Sequence, residues 1–177
     1  QLPAPAILRL EDRGRLPIDD TVKTHMPDAP AAWDKVTIRH LLAHTSGIPN
    51  FTNFPDYMKT KYLPQTAVEL IARFKDRALE FEPGTRWNYS NSGYVLLGHL
   101  VEKISGETYA KFVTDNIFTP LAMKDSGLAA YPPHSAKNPE NRKKPTYFWT
   151  SIRSKPSGSQ PSSADRSMLL VSLRIKA

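Results

Sequence analysis

The stretch SNSGYVLLGHLVEKISG, from Ser90 to Gly106, constrains the fold more than any other part of this 177-residue chain. Polar residues suited to capping open it. Val95, Leu96, Leu97, Leu100, Val101 and Ile104 then recur at helical spacing, and Gly106 supplies a stop. The pattern predicts a helix with a broad apolar face. Such a face must be buried against other elements.

Further helical signals flank it. In APAILRLEDR, residues 4–13, Ile7, Leu8 and Leu10 share a short face, and Gly14 suits a stop. DAPAAWDKV reads as a loop. In TIRHLLAHTSGIPNF, Thr37 is a candidate N-cap, Ile38, Leu41 and Leu42 repeat at helical spacing, and Gly47 with Pro49 ends the run. PQTAVELIARFK predicts an amphipathic helix with Val68, Ile71 and Phe74 on one face. ETYAKFVTDNIFTPL predicts another, with Tyr109, Phe112, Val113 and Ile117 inward and Pro120 as its stop. Convincing strands are few, so the expected fold class is mainly α. With little sheet to cover them, the faces around Leu96, Leu97, Leu100, Phe112 and Ile117 are expected to stay partly open. Open apolar faces favour self-association.

Charge divides the chain. Residues 129–177 carry nine basic and two acidic residues, which accounts for the whole net charge of +7. The same segment is rich in Ser and Pro. This predicts a boundary near Gly127, with a folded region at 1–128 and a basic, poorly ordered tail at 129–177. KNPENRKKP, followed by Tyr147, Phe148 and Trp149, mixes base and aromatic as single-strand nucleic-acid binders do. A charge run is more commonly a solvated segment, so nucleic acid is not the expected partner. MLLVSLRI, near the end, suits a short strand or a helical turn. No apolar run reaches the roughly 18 residues of a membrane-spanning helix, and no basic-then-apolar leader pattern follows Gln1. The absence of Cys rules out disulfides and thiolate chemistry within the chain.

The stretch RWNYSNSGY, residues 86–94, carries the chemistry. Tyr89 and Asn91 form a Tyr-x-Asn at the mouth of the strongest helix. A phenol and an amide so placed can stand over a reacting serine. The matching nucleophile would be a Ser-x-x-Lys, in which hydroxyl and ammonium share a helix face. No serine of the sequence has Lys three residues on, and Gly-x-Ser-x-Gly is also absent. A Ser/His/Asp triad is defined by geometry and stays open at this level. His40 and His44 have the i,i+4 spacing of a helical metal pair, but the Glu of H-E-x-x-H is missing. A capped helix end is the favoured reading. His25, His99 and His134 read as structural or solvated. No phosphate-binding glycine loop occurs, so neither metal nor cofactor is expected.

LEDRGRLPIDDTV, VTIRHLLAHTSGIPNF, FEPGTRWNYSNSGYVLLGHLVEKISGETYAKFV and NIFTPLAMKDSGL together resemble the β-lactamase-related serine hydrolases. This group includes class C β-lactamases, DD-peptidases and penicillin-binding-protein-type carboxylesterases. The resemblance spans roughly residues 6–128. It implies the helical region of an α/β β-lactamase/transpeptidase-like fold, here with most of the antiparallel sheet missing. It also implies acyl transfer through a serine ester. By position, Tyr89 matches the motif tyrosine, a general base and acid. Asn91 matches the asparagine that contacts substrate. His44 to Gly47, HTSG, matches an architectural signature near the cleft. The resemblance further implies that Ser-x-x-Lys would lie just upstream of Gln1, and that the later Lys-Thr-Gly or His-x-Gly strand is lacking. The expectation is a partial hydrolase domain, inactive as given, whose partner is a small acyl substrate or a peptidoglycan-like peptide. A non-catalytic ligand-binding module and a basic-tail interaction protein are the alternatives. For a full-length parent, the resemblance suggests export to the periplasm or exterior.

Overall fold

The computed structural model of the protein describes residues 2–61, 63 and 65–128. Helix α1, Pro3–Asp12, opens with Pro3, whose fixed φ suits a first turn. It buries Ala6, Ile7 and Leu10, but Leu8 points outward rather than joining that face. A short helix α2, Val22–His25, follows. The segment expected as a loop winds a 3₁₀ turn at Ala31–Trp33, which drives Trp33 into the core.

Helix α3, Ile38–Leu42, starts on a capping box. The His40 N–H donates to Thr37 Oγ1 at 3.2 Å, and the Thr37 N–H donates to His40 Nδ1 at 3.3 Å. Histidine here takes the place usually held by Glu or Gln. The helix is shorter than its apolar spacing predicts because His44 turns left-handed, with φ 58°. A 3₁₀ turn at Phe51–Asn53 and a single helical turn, α4 at Tyr57–Thr60, lead to α5, Ala67–Ala72. Thr66 and Glu69 cap α5 reciprocally. It buries Ala67, Leu70 and Ile71, with Phe74 beyond its end. Val68, predicted inward, is 63% exposed.

Helix α6, Asn91–Ser105, is the run expected to dominate the fold, and Gly106 closes it in the left-handed conformation at φ 76°. Helix α7, Tyr109–Val113, widens into a π turn at Thr114–Phe118. That extra residue per turn makes Phe118 the buried side chain and leaves Ile117 only half-buried.

Helices α1, α3, α5 and α7 all pack on α6. Its Leu96, Leu97, Leu100 and Val101 are fully buried, as is Phe112 of α7. The expectation that these faces stand partly open is therefore corrected for Leu96, Leu97, Leu100 and Phe112, over which neighbouring helices close among the described residues, while Ile117 stays half-buried. Trp33, Phe74 and Phe51 stack in series at 6.1 and 6.2 Å between ring centroids and fill the far side of the core. Large apolar side chains that do stay exposed lie elsewhere, at Met58, Leu63, Val68, Trp87 and Leu121 among others.

The mainly α expectation holds. An isolated antiparallel bridge joins Thr21 and Thr37, both described residues. No described helix is long and apolar enough to cross a membrane. The basic tail, its aromatic cluster and MLLVSLRI lie outside the described residues.

Candidate functional site

Two chain segments meet at the N-terminal end of α6: residues 44–52, and residues 88–90 with the first two residues of the helix. The loop can make its reversal because Gly47 has φ +74°. A Cβ there would lie 2.1 Å from the Phe81 carbonyl oxygen, so only glycine fits. Backbone bonds then fasten the turn to residues 80–88. The Glu80 N–H donates to Gly47 O at 2.8 Å, the Gly84 N–H to Thr45 O at 2.8 Å, and the Asn88 N–H to His44 O at 2.9 Å.

Side chains of 90–92 knit the second half of the seam. Ser90 Oγ donates to Ile48 O at 3.0 Å. Ser92 Oγ donates to Pro49 O at 2.6 Å and accepts from the Phe51 N–H at 3.0 Å. The Asn91 N–H donates to Asn50 Oδ1 at 3.2 Å, and Asn91 Nδ2 donates to Thr52 Oγ1 at 3.1 Å. Ser90, Asn91 and Ser92 are all buried, and these bonds satisfy polar groups that would otherwise be costly there. One exception stands out: Asn91 Oδ1 is buried and has no hydrogen-bond partner among the described residues.

Tyr89 and Asn91, the pair singled out from the sequence, therefore sit side by side in different environments. Tyr89 is 44% exposed, while Asn91 is almost wholly enclosed. The Tyr89 ring tilts against the His44 imidazole at 4.6 Å, and Tyr94 stacks on the imidazole at 4.8 Å. Trp87, 69% exposed, meets the same ring edge-on at 6.4 Å. The Ser90 N–H donates to His44 Nδ1 at 3.2 Å, a bond that exists only while that nitrogen is unprotonated. Burial pushes the His44 imidazole below its ordinary range, in keeping with a neutral ring. Burial also pushes the Tyr89 phenol up, and it pushes Tyr94 up with added repulsion from Tyr89. At neutral pH Tyr89 is thus a proton donor. To accept a proton it needs a cation brought beside it.

The i,i+4 histidine pair that the spacing allows, the less favoured reading, does not form. His44 lies past the end of α3, and the two rings have separate employments, His40 in the cap of α3 and His44 under Tyr89. No group of three or more His, Asp or Glu side chains fit to hold a metal occurs among the described residues. His25 bonds Asp20 Oδ2 at 2.9 Å, a structural arrangement as expected. Sequence reasoning missed Asn50, Thr52 and Tyr94. The run PNFTN carried a signal for the first two, since polar residues between Pro49 and Phe54 suit side-chain-to-backbone turns.

A family model described as Beta-lactamase matches residues 4–165. Penicillin-binding protein 4* of Bacillus subtilis (strain 168) is 39% identical over 123 residues, which is 68% of this chain and 27% of that protein. The chain thus spans about a quarter of the length of this curated relative. Among solved structures, a D-stereospecific amidohydrolase from Streptomyces sp. superposes with a TM-score of 0.65 at 31% identity, covering 72% of this chain and 41% of that one. An octameric penicillin-binding protein homologue from Pyrococcus abyssi gives a TM-score of 0.60 at 35% identity, covering 72% and 31%.

Proposed function

We infer that this chain, which belongs to the beta-lactamase family of serine hydrolases, supplies the Tyr-x-Asn wall of an acyl-transfer site. Tyr89 is the phenol that passes a proton, and Asn91 is the amide that holds the substrate. The observation that carries this reading is the pairing of a half-exposed Tyr89 with an enclosed Asn91 whose carbonyl oxygen is still free. A free buried acceptor beside an accessible phenol suits a site completed by another group. The group addressed is the carbonyl of an ester or amide, a class that includes β-lactams and D-Ala-D-Ala peptides. Exposed apolar side chains such as Trp87 offer contacts for self-association, and a relative is octameric.

By this mechanism the 177 residues form no acyl-enzyme alone, because no Ser-x-x-Lys occurs in them. Burial keeps the Tyr89 phenol protonated, so it cannot activate a hydroxyl unaided. Intact mass after exposure to a serine-reactive fluorophosphonate tests this directly. The expected spectrum has no adduct, and a stoichiometric adduct would name an activated serine and overturn it. In a polypeptide carrying Ser-x-x-Lys ahead of this chain, Tyr89→Phe should lower kcat by about 10²–10⁴, the range for a lost proton-transfer group.

A further inference from the structure

Asn50 Oδ1 receives two backbone N–H groups, from Asn91 at 3.2 Å and from Thr52 at 3.4 Å. Backbone N–H groups only donate, so this end of the Asn50 amide is its oxygen. Thr52 Oγ1 lies 3.0 Å from the same oxygen, so the hydroxyl proton must point at Asn50. That leaves a lone pair of Thr52 facing Asn91, at 3.1 Å. A lone pair accepts, so the nearer end of the Asn91 amide must be its NH₂ group. The carbonyl oxygen is thereby turned the other way, into the buried position where it has no partner among the described residues.

We propose that Thr52 is a positioning residue that, through Asn50, fixes the polarity of the Asn91 amide and so presents Asn91 Oδ1, a hydrogen-bond acceptor, to the site. A free amide can flip and offer either a donor or an acceptor. The relay from two backbone N–H groups removes that choice. The site then takes a donor at this point, an N–H or an ammonium, and discriminates against a second acceptor. The importance of this for catalysis rests on the acyl-transfer reading given above; the fixed polarity itself does not.

The lock is read on the chain itself by the side-chain NH₂ resonances of Asn91 in ¹⁵N-edited NMR, assigned by their loss in Asn91→Ala. In the unaltered chain these protons should be well separated in shift and protected from solvent. Thr52→Val removes both the donor to Asn50 and the acceptor for Asn91. It should bring the two protons together and speed their exchange about fivefold, the factor for one ordinary hydrogen bond. Thr52→Ser keeps the hydroxyl and Asn50→Asp keeps the acceptor, so both should preserve the signals. Unchanged Asn91 signals in a folded Thr52→Val chain overturn the proposal. Their loss in Thr52→Ser or Asn50→Asp overturns it too, even where the valine variant does not fold. No step uses activity, so failure of the acyl-transfer reading leaves this result standing, and the reverse.

Discussion

The two ends of α6 are held by different physics. Its middle and C-terminal part, at Leu96, Leu97, Leu100 and Val101, is wrapped by apolar side chains from α1, α5 and α7, with Gly106 closing a free end. Its first residues are fastened by specific polar bonds to 48–52, with Asn91 Oδ1 the buried atom left without a partner among the described residues. Apolar packing is tolerant, because one side chain can shift into the space of another. A polar seam is not: a misplaced partner leaves a buried group unsatisfied. Rigid direction is what a site needs, and this chain puts its directional bonds around Asn91, where the acyl-transfer reading proposed above would place one.

Glycine substitutions should break that comparison most sharply. Gly47 and Gly106 both have positive φ, +74° and +76°. An added Cβ at Gly106 meets nothing within 4 Å, whereas at Gly47 it lies 2.1 Å from Phe81 O. Gly106→Ala should cost only the left-handed penalty, about 1–2 kcal/mol. Gly47→Ala adds steric overlap worth about 1–3 kcal/mol, for a total of about 2–5. The Glu80-to-Gly47 bond blocks the obvious retreat of the two segments. Denaturant unfolding measures both, and equal losses would mean that the seam yields as easily as the free end.

The pH dependence sharpens the comparison at the next level. Burial lowers the folded-state pKa of His44 in the seam and of His99 on α6. An imidazole with a depressed folded pKa binds more protons when unfolded. Stability should therefore be full above the ordinary imidazole pKa of about 6.5 and fall as pH drops below it. In the seam, protonation also costs the Ser90 N–H bond to Nδ1. His44→Asn keeps a residue that tolerates the left-handed turn and removes the titration. Acid unfolding of that variant should be flatter than that of the parent chain. A slope that survives His44→Asn but vanishes in His99→Gln would put the acid sensitivity in the packed part of α6.

This contrast also explains what was legible in the sequence. The interior of α6 was readable because Leu96, Leu97, Leu100 and Val101 repeat with the helix period, and Gly106 punctuates them. Tyr89 and Asn91 were readable as a motif, but their surroundings were not. Asn50 and Thr52 meet Asn91 across about forty residues, and no period encodes such a pairing. The left-handed His44 was equally hidden, since a non-glycine residue rarely adopts it. It cut α3 short and separated the two histidines that spacing had put on one helix. In α7 the π turn displaced the inward position from Ile117 to Phe118, a shift that a strict 3.6-residue count cannot register.

The smallest expected effect tests where the closed interior ends. On α5 the spacing of Val68, Ile71 and Phe74 suggests one apolar face, but Leu70 and Ile71 are buried and Val68 is 63% exposed. Because α5 spans only Ala67–Ala72, its capping box at Thr66 and Glu69 fixes the phase of a single turn and a half, and that phase puts Leu70 inward. Val68→Gln exchanges a β-branched residue for a better helix former at an open position. It should change stability by no more than about 0.5 kcal/mol, in either direction. A loss above about 2 kcal/mol in denaturant unfolding would mean that Val68 is covered in solution, either by a second copy or by residues outside those described here. A loss that grew with protein concentration would single out the second copy, because only an association that buries this face depends on concentration.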